Sequence, residues 1–311
     1  MHLNLRCSLL AVAVPLIVAP AADAQPAQPP QPPEPTLQFR FHPGGTHQFD
    51  TDIDDGGEFN VTRVHPGISA TYEFNPDLKV DVDLGYEFSS YDFSGSTGFG
   101  GLDPWEDIHS LRIGTRFTYR LDEQWSLFGG PVFTLAAEDG ADLGDGFAPA
   151  GLVGATYRFS DTLTLGGGLL VVGEIEDDVQ VFPALIVNWK INDQWTLRNS
   201  RADFGSGAFG GGLEAAWAFA EDWEVSFGVG YQWRQFKLDD SGVAPDGVGI
   251  DSSVPIYADL TWSINPTTSL NFMAAVAVNG ELELQDSGGN TISEQDYDPA
   301  ALIGARVAIK F

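Results

Sequence analysis

Long apolar runs are missing from most of this sequence. Outside the N-terminus of the 311-residue chain, no stretch reaches 18 apolar residues, whereas a membrane-spanning helix needs about 20. Helical spans are therefore excluded there. A membrane-spanning strand needs only about 9–11 residues, so the hydrophobic residues, 43% of the chain, could form a core or a barrel.

Basic residues are also scarce. The chain has 15 lysines and arginines against 44 aspartates and glutamates, and its formal net charge is −29. This charge excludes nucleic acid as a partner, because phosphate binding depends on clustered bases. The single cysteine, Cys7, lies in the N-terminal segment, so we expect no disulfide in the rest of the chain.

Catalytic signatures are missing as well. Beyond the N-terminal segment the histidines are His42, His47, His65 and His109. No Gly-x-Ser-x-Gly motif, paired-acid signature or zinc-binding spacing accompanies them. We therefore predict a protein that is not an enzyme and uses no cofactor.

The N-terminus predicts export. A base precedes the mostly apolar stretch Cys7 to Pro20, and Ala22-Asp23-Ala24 resembles a cleavage site. Residues 1–24 are thus predicted as a signal peptide, with a membrane anchor as the alternative. Residues 25–36 are rich in proline and are predicted as an extended periplasmic linker, which leaves 37–311 for the folded domain.

A short unit recurs along the chain: an aromatic residue, a polar turn, and a new strand. In its clearest copy, Pro183 to Arg198, Trp189 and Trp195 flank the turn. About six copies recur at roughly 40-residue spacing, which also suits a soluble propeller, but short turns on one side and long acidic loops on the other favour a membrane barrel. Aromatic residues beside the turns are predicted to form a girdle at the lipid boundary: Tyr72, Tyr119, Trp125, Tyr157, Trp189, Trp195, Trp217, Trp223 and Trp262.

Alternation along each strand assigns its two faces. In 78–93, one face is apolar from Leu78 to Phe88, and the other carries a lysine and several acids. A slip of one residue would place those charges in lipid, where a base costs roughly 2–4 kcal/mol near the midplane. The residues predicted to line the lumen are Lys79, Asp81, Asp83, Glu87, Arg112, Arg116 and Arg120.

The same alternation predicts about 14 strands, with 12 as the main alternative. Their ranges are about 37–41, 59–74, 78–93, 107–120, 125–138, 147–159, 162–175, 179–191, 195–206, 208–220, 223–238, 252–264, 269–284 and 298–311. An even number suits a single-chain bacterial barrel. In the ninth range Asn199, Arg201 and Asp203 would face lipid. We therefore expect either a bulge near Asn199 or Ser200 or a strand that is covered by another element. The predicted fold is all-β, a closed antiparallel transmembrane β-barrel.

The longer connections are predicted as surface loops: 43–58, 94–106, 139–146, 239–251 and 285–297. The first of them and its edge carry weak candidate metal ligands: His42, His47, Asp50, Asp52 and Asp54. In a calcium-binding loop, glycine would occupy the position of Asp55, and a glutamate at the end of the loop would bind the ion with both oxygens. This segment has neither residue at the required position. We therefore predict a solvated acidic loop and no metal, with a weak cation site as the alternative.

The chain ends in alternating apolar residues and a terminal aromatic residue, Phe311. This ending resembles the assembly signal of bacterial outer-membrane barrels. The expected partners are therefore the barrel-assembly machinery and outer-membrane lipid, with small solutes also possible.

Three segments carry a wider resemblance: FPALIVNWKINDQWTLRN, YQWRQFKLDD and YDPAALIGARVAIKF. With them, roughly residues 60–311 resemble a family of uncharacterised bacterial outer-membrane β-barrel proteins, and the likeness is best over 180–311. The resemblance implies an outer-membrane location. It implies no known activity and carries over no functional residues.

The lumen charges have two interpretations that the sequence leaves open. They could orient small polar solutes in a cross-lumen field, or they could fill the lumen as a ladder of salt bridges. We expect a porin-like passive channel for small solutes in the bacterial outer membrane. The alternatives are a structural or surface-interaction barrel with a filled lumen and, third, a hydrophobic-solute transporter; a soluble lipid-binding barrel is the rival at the level of the fold.

Overall fold

The computed structural model describes residues 35–176, 179–200, 205 and 207–311. The predicted signal peptide, 1–24, and residues 25–34 of the predicted linker lie outside the described residues. Residues Glu34–Phe311 form one compact unit. None of its described helices is long and apolar enough to cross a membrane.

The described part of this unit consists of strands and one short helix. The strands are β1 (Thr36–Phe41), β2 (Gly44–Asp52), β3 (Glu58–His65), β4 (Gly67–Asn75), β5 (Leu78–Ser94), β6 (Asp107–Arg120), β7 (Trp125–Glu138), β8 (Phe147–Ser160), β9 (Leu163–Gly173), β10 (Val179–Lys190), β11 (Trp195–Asn199), β12 (Phe209–Ala220), β13 (Trp223–Lys237), β14 (Val248–Asn265), β15 (Thr268–Gln285), β16 (Thr291–Tyr297) and β17 (Ala300–Lys310). The helix α1 (Gly98–Leu102) lies between β5 and β6. The all-β prediction is confirmed.

Three pairs of strands are single spans that a proline interrupts. Pro43 stands between β1 and β2, Pro66 between β3 and β4, and Pro299 between β16 and β17. Proline has no N–H to give to the ladder, but its carbonyl still accepts. The Tyr86 N–H donates to Pro66 O at 3.0 Å, and the Val307 N–H donates to Pro43 O at 3.0 Å. Counting each interrupted pair as one span gives 14 spans.

The last span pairs with the first and closes the sheet. Arg40 lies opposite Lys310, and Gln48 lies opposite Leu302. Neighbouring spans are antiparallel around the whole circuit. Among the described residues, every span therefore has a paired neighbour on each side, as a lipid environment requires. The prediction of a closed 14-stranded barrel is confirmed, and the alternative of 12 strands is wrong.

Parts of three predicted loops are strand. The range 43–58 contains β2, 285–297 contains β16, and β14 begins at Val248 inside the predicted loop 239–251. These segments lie at the end of the barrel with the long connections, where the strands continue past the length that crosses lipid. Their outward side chains need not be apolar there, so the alternation is lost while the backbone ladder continues.

The ninth span departs most from a regular strand. Of its predicted range, 195–206, the residues 201–204 and 206 lie outside the described residues. The ladder at Asn199 has no register shift where the bulge was expected. Instead, the Asn199 side chain makes hydrogen bonds to the backbone of β10. Its Oδ1 accepts the Val187 N–H at 2.9 Å, and its Nδ2 donates to Leu185 O at 2.6 Å.

Four of the short turns have the same local hydrogen bond. At the end of a strand, a side-chain oxygen of Asn or Asp accepts the backbone N–H two residues later, as an Asx turn does. The positions are Asn75, Asp122, Asn192 and Asn265. In the copies at Asp122 and Asn192 the same oxygen also accepts the N–H of the tryptophan that opens the next strand. At these two turns the side-chain acceptor therefore fixes the first residue of the next strand, Trp125 or Trp195.

Candidate functional site: the barrel interior

The outer surface of the spans is apolar. Large side chains that point outward are exposed in every region of the wall, among them Leu84, Ile113, Val153, Leu185, Phe227, Phe272 and Ile303. A closed barrel with this surface belongs in a membrane, since its backbone groups are paired internally and its apolar side chains can meet lipid. Single-chain barrels of this kind lie in the bacterial outer membrane.

The predicted girdle aromatics lie beside the short turns. Three pairs of them occupy directly opposed ladder positions: Trp125 with Tyr157, Trp195 with Trp217, and Trp223 with Trp262. The rings of the two tryptophan pairs are stacked, with centroids 5.7 and 5.4 Å apart. Tyr72, Tyr119 and Trp189 lie near the same end of the barrel. Their contact with lipid headgroups remains a prediction.

The predicted lumen charges divide between two depths. Near the short-turn end, Asp81 accepts a hydrogen bond from the Thr71 hydroxyl at 2.7 Å. Its carboxylate also lies 3.3 Å from Lys79 Nζ and 3.2 Å from Arg116 Nη2. Two bases therefore flank this acid, and all three residues belong to the set that alternation directs to the lumen.

Two further members of the predicted set lie deeper. Glu87 is 1% exposed, and its Oε1 lies 3.2 Å from Arg234 Nε on a distant span. Arg112 donates from Nη1 to Ala208 O at 2.7 Å. Arg120, in contrast, lies at the exposed end of β6. The seven predicted residues thus lie at different depths along the barrel.

The candidate metal ligands are spread along β2 and its ends: His42, His47, Asp50, Asp52 and Asp54. His42 Nε2 lies 3.4 Å from Asp83 Oδ2. His47 bonds a threonine hydroxyl, and Asp50 accepts from an asparagine amide of β3. Within the described residues, no group of three or more His, Cys, Asp or Glu could hold a metal ion. The prediction that this segment is a loop is wrong, because β2 pairs with β3 and β17.

The barrel interior contains a buried ion pair that was not predicted from the sequence. Arg63 Nη2 lies 2.6 Å from Asp251 Oδ2, and the Tyr91 hydroxyl donates to the same oxygen at 2.8 Å. The alternation of β3 points Arg63 inward, which was a usable signal. Asp251 gave none, because its segment lacks apolar alternation and was predicted as a loop. We call Arg63, Glu87, Arg234 and Asp251 the ion-pair layer.

The connection 95–106 folds into the barrel, whereas the sequence predicted a surface loop. Its Trp105 is 1% exposed, and its ring centroid lies 5.5 Å from that of Phe93 and 5.3 Å from that of Phe236. Phe99 of α1 is buried with it. Gly100 allows this close approach, since a Cβ there would meet the Ser94 carbonyl oxygen. We call Tyr91, Phe93, Phe99, Trp105 and Phe236 the aromatic plug.

Opposite walls of the barrel touch at the plug. The rings of Tyr91 on β5 and Phe236 on β13 have centroids 6.1 Å apart, although several spans separate these strands around the circuit. Just beyond them, Lys237 on β13 pairs in parallel with Ala137 on β7. The end of the barrel with the long connections is therefore flattened, and packed side chains cross it from wall to wall.

A second buried cluster lies beside the plug. It joins Val132, Ala150 and Val172 on β7 to β9 with Phe209, Trp233, Val248 and Ile250 on β12 to β14. Leu170 and Phe182 pack against it. The apolar side chains that alternation directs inward from β8 to β10 are thus covered by the opposite wall.

The short-turn half of the interior holds open space. One cavity of about 640 Å³ reaches from Gln38 and Lys310 to Arg112 and Gly205, below the ion-pair layer. A second, of about 310 Å³, lies along β12 to β15. Arg40 and Lys310 line both cavities. The interior therefore has a polar, accessible half and a packed half.

Phe311 lies at the mouth of this open half. It is 74% exposed, and its N–H donates to Phe39 O at 2.9 Å. The C-terminus thus takes part in the seam between the last and first spans. Its role as an assembly signal remains a prediction.

Comparisons with known proteins bear on the fold. No protein-family model matches the sequence, and no curated protein matches it. Among solved structures, an outer membrane channel from Pseudomonas putida F1 is similar with a TM-score of 0.50 and 9% identity, over 93% of this chain and 100% of that chain. This likeness shows the fold alone.

Two further solved structures are similar at lower scores. A FadL homologue of Pseudomonas aeruginosa has a TM-score of 0.44 and 11% identity, over 89% of each chain. The toluene transporter TodX of Pseudomonas putida has a TM-score of 0.41 and 12% identity, over 91% of this chain and 90% of that chain. From its own closed barrel and apolar outer surface the protein is an outer-membrane-type β-barrel, similar in fold to the outer membrane channel from Pseudomonas putida F1.

Proposed function

We propose that this protein is a non-enzymatic outer-membrane channel for small solutes that is closed in the described conformation. The observation that carries the proposal is the division of its interior. A polar cavity opens at the short-turn end, which we assign to the periplasm, and it ends below the ion-pair layer and the aromatic plug. The closed half distinguishes this channel from an open general porin.

The ion-pair layer supports a plug that moves. Arg63, Asp251 and Glu87 are buried, and a buried ion pair is often no more stable than well-packed apolar residues of similar size. A plug with only a static role would be stable with apolar side chains throughout. Charged groups between the cavity and the aromatic plug suit an element that meets water when the channel opens.

A structural barrel with a filled lumen is the second candidate. It is favoured by the wall-to-wall contacts, above all by the pairing of Lys237 with Ala137. A hydrophobic-solute transporter is the third, supported by the cluster around Val172 and Phe182. Membership of the uncharacterised barrel family stays part of this proposal, as do contacts with lipid and with the assembly machinery.

Conductance in a planar bilayer separates the first two candidates. Phe99 and Trp105 are replaced together by alanine, and Trp125→Ala on the outer girdle is the matched control. We expect rare, small steps from the wild type and from the control, and larger, longer steps from the plug variant. If the folded plug variant conducts no more than the wild type does, the filled-lumen barrel replaces the channel.

A further inference from the structure

The smaller cavity, of about 310 Å³, is lined on one side by polar residues of two neighbouring strands. Ser263 on β14 lies opposite Ser269 on β15 in the ladder, and Thr261 lies opposite Asn271. Asp259 is the next inward residue of β14, and all five line the cavity. Successive levels are about 7 Å apart, because a strand rises about 3.4 Å per residue and alternate residues face inward. We call these five residues the polar column.

The deep end of the polar column presents hydrogen-bond acceptors. Asp259 is 7% exposed, and its Oδ1 accepts from Asn271 Nδ2 at 3.0 Å and from the Thr261 hydroxyl at 3.3 Å. Among the described residues, none donates to Asp259 Oδ2 or to Asn271 Oδ1. Polar atoms held this far from the surface usually have a partner. A ligand with donor groups would supply one.

The outer end of the polar column presents two hydroxyls. In the described part of the chain, the side-chain oxygens of Ser263 and Ser269 form no hydrogen bond. A serine hydroxyl can donate one hydrogen bond and accept others. The column thus combines hydroxyls near the short turns with amide and carboxylate oxygens at greater depth.

The charged groups around the column interact with one another. Arg198, on the facing part of the cavity wall, lies 2.7 Å from Glu214 Oε1 and 2.6 Å from Glu224 Oε1. Arg306 lies opposite Asn271 in the ladder and interacts electrostatically with Asp259. Asp259 therefore does not depend on a bound cation for a counter-charge. A neutral ligand suits this wall, and hydroxyl groups suit it best because each of them can both donate and accept.

We infer that the smaller cavity binds a neutral, polyhydroxylated solute of about monosaccharide size, whose hydroxyls bond to the polar column. The inference rests on the proposed function and names its class of solute. The cavity volume lies at the lower end of the range for small-molecule sites, which suits one sugar ring. The turn residues Asn265 and Thr267 also line the cavity, so the solute would reach the column from the short-turn end.

A saturation-transfer NMR titration with D-glucose tests the inference. The purified, refolded protein is studied in deuterated lauryldimethylamine oxide, whose headgroup is not a sugar. We expect glucose to bind the wild type, and to bind S263A/S269A about ten-fold more weakly because two hydrogen bonds are lost. The two hydroxyls bond to no described residue, so we expect this variant to fold normally.

Ser126→Ala is the matched control. Ser126 lies near the short-turn end of β7 and is not among the described residues that line this cavity. This variant should bind glucose as the wild type does. Resistance of the folded band to SDS without boiling verifies that each variant is folded.

A variant at the deep end and two charged competitors complete the test. Asp259→Asn replaces one carboxylate oxygen with an amide donor and should weaken glucose binding about ten-fold. Choline and acetate should each displace ¹³C-labelled glucose at least about ten-fold less well than unlabelled glucose does. The inference is overturned if the wild type does not bind glucose, if S263A/S269A or D259N binds it as tightly as the wild type, or if either ion competes as well as glucose.

Glucose binding and conductance can fail separately. The NMR titration needs no open pore, so a plug variant that conducts no more than the wild type would reject the channel and leave a measured glucose site standing. Conductance by the plug variant without any glucose binding would reject the polyhydroxylated solute and leave the channel standing.

Discussion

Arg63 and Asp251 are 188 residues apart in the chain, and their side chains meet inside the barrel at 2.6 Å. Arg63 lies on β3 and Asp251 on β14, so the ion pair connects two regions of the wall that share no backbone hydrogen bonds. It lies between the open cavity and the aromatic plug. The interaction energy of this pair therefore affects both the free energy of unfolding of the barrel and the closure of its lumen.

Replacing only one partner of this pair should be costly. Arg63→Met leaves Asp251 buried without its counter-charge, which typically destabilises by about 3–5 kcal/mol. R63M/D251L, which removes both charges, should recover most of that loss. Urea unfolding in lipid vesicles, followed by tryptophan fluorescence, measures both. A single variant as stable as the wild type would show that the pair contributes nothing to the closed barrel.

The Asx turn at Asn192 gives a local prediction. Its Oδ1 accepts the N–H groups of Gln194 at 2.9 Å and Trp195 at 2.8 Å. Asn192→Ala removes both bonds and should cost about 1–2 kcal/mol, whereas Asn192→Asp keeps an acceptor and should cost less. The same vesicle unfolding assay compares the two. Equal losses in both variants would mean that the acceptor oxygen is not what stabilises the turn.

The equivalent turn at Asp122 should respond to pH. The Trp125 N–H, followed by the Gln124 N–H, holds the pKa of Asp122 below its ordinary value. Because the folded-state pKa is the lower one, this stabilisation is present above the unfolded pKa of about 3.9 and is lost as the pH falls through the folded-state value.

Asp122→Asn keeps the acceptor and removes the titration. We therefore expect the wild type to lose more stability than D122N when unfolding is compared between pH 5 and pH 3. Asp193→Asn is not a suitable control, since its pKa is also lowered, by Lys190. Asp161→Asn, at an exposed residue of another short turn, serves instead. Parallel losses in the wild type and D122N would contradict the prediction.

Phe311 should matter for assembly more than for stability. Its backbone pairs with Phe39 while its side chain is exposed, so Phe311→Ala leaves the seam intact and removes only the terminal ring. We expect less folded barrel in the outer membrane of an expressing cell, measured as the fraction of heat-modifiable protein. Phe159→Ala, at another exposed phenylalanine, is the control. If the two variants assemble equally well, Phe311 is not the assembly signal.

Much of the wall could be predicted because its determinants are local. The strands 107–120 and 125–138 match β6 and β7, since alternation and the turn at Asp122 act within a few residues. The same reasoning failed at β2 and β16, which lie where the wall no longer meets lipid. There, hydrogen bonds to β3, β15 and β17 determine the strand, and no apolar pattern marks it.

Contacts in the barrel interior could not be predicted from local patterns. Alternation directed Glu87 and Arg112 inward, but it did not pair Glu87 with Arg234 or Arg112 with Ala208. Nor did it show that Trp105, in a connection rich in glycine, would be buried against Phe236. These contacts join residues on distant spans, so they depend on the curvature and flattening of the closed sheet.

The sequence by itself determined a closed barrel of about 14 strands with an apolar exterior, because strand period, turn chemistry and the demand for paired backbone in lipid are all local or general constraints. The exact number depended on how the interrupted spans pair in the structure. Only the tertiary structure decided that one half of the lumen is packed and that the other half holds open cavities. Closure brings Arg40 beside Lys310 and Arg63 beside Asp251. That proximity is a property of the whole circuit of strands, which no short stretch of sequence encodes.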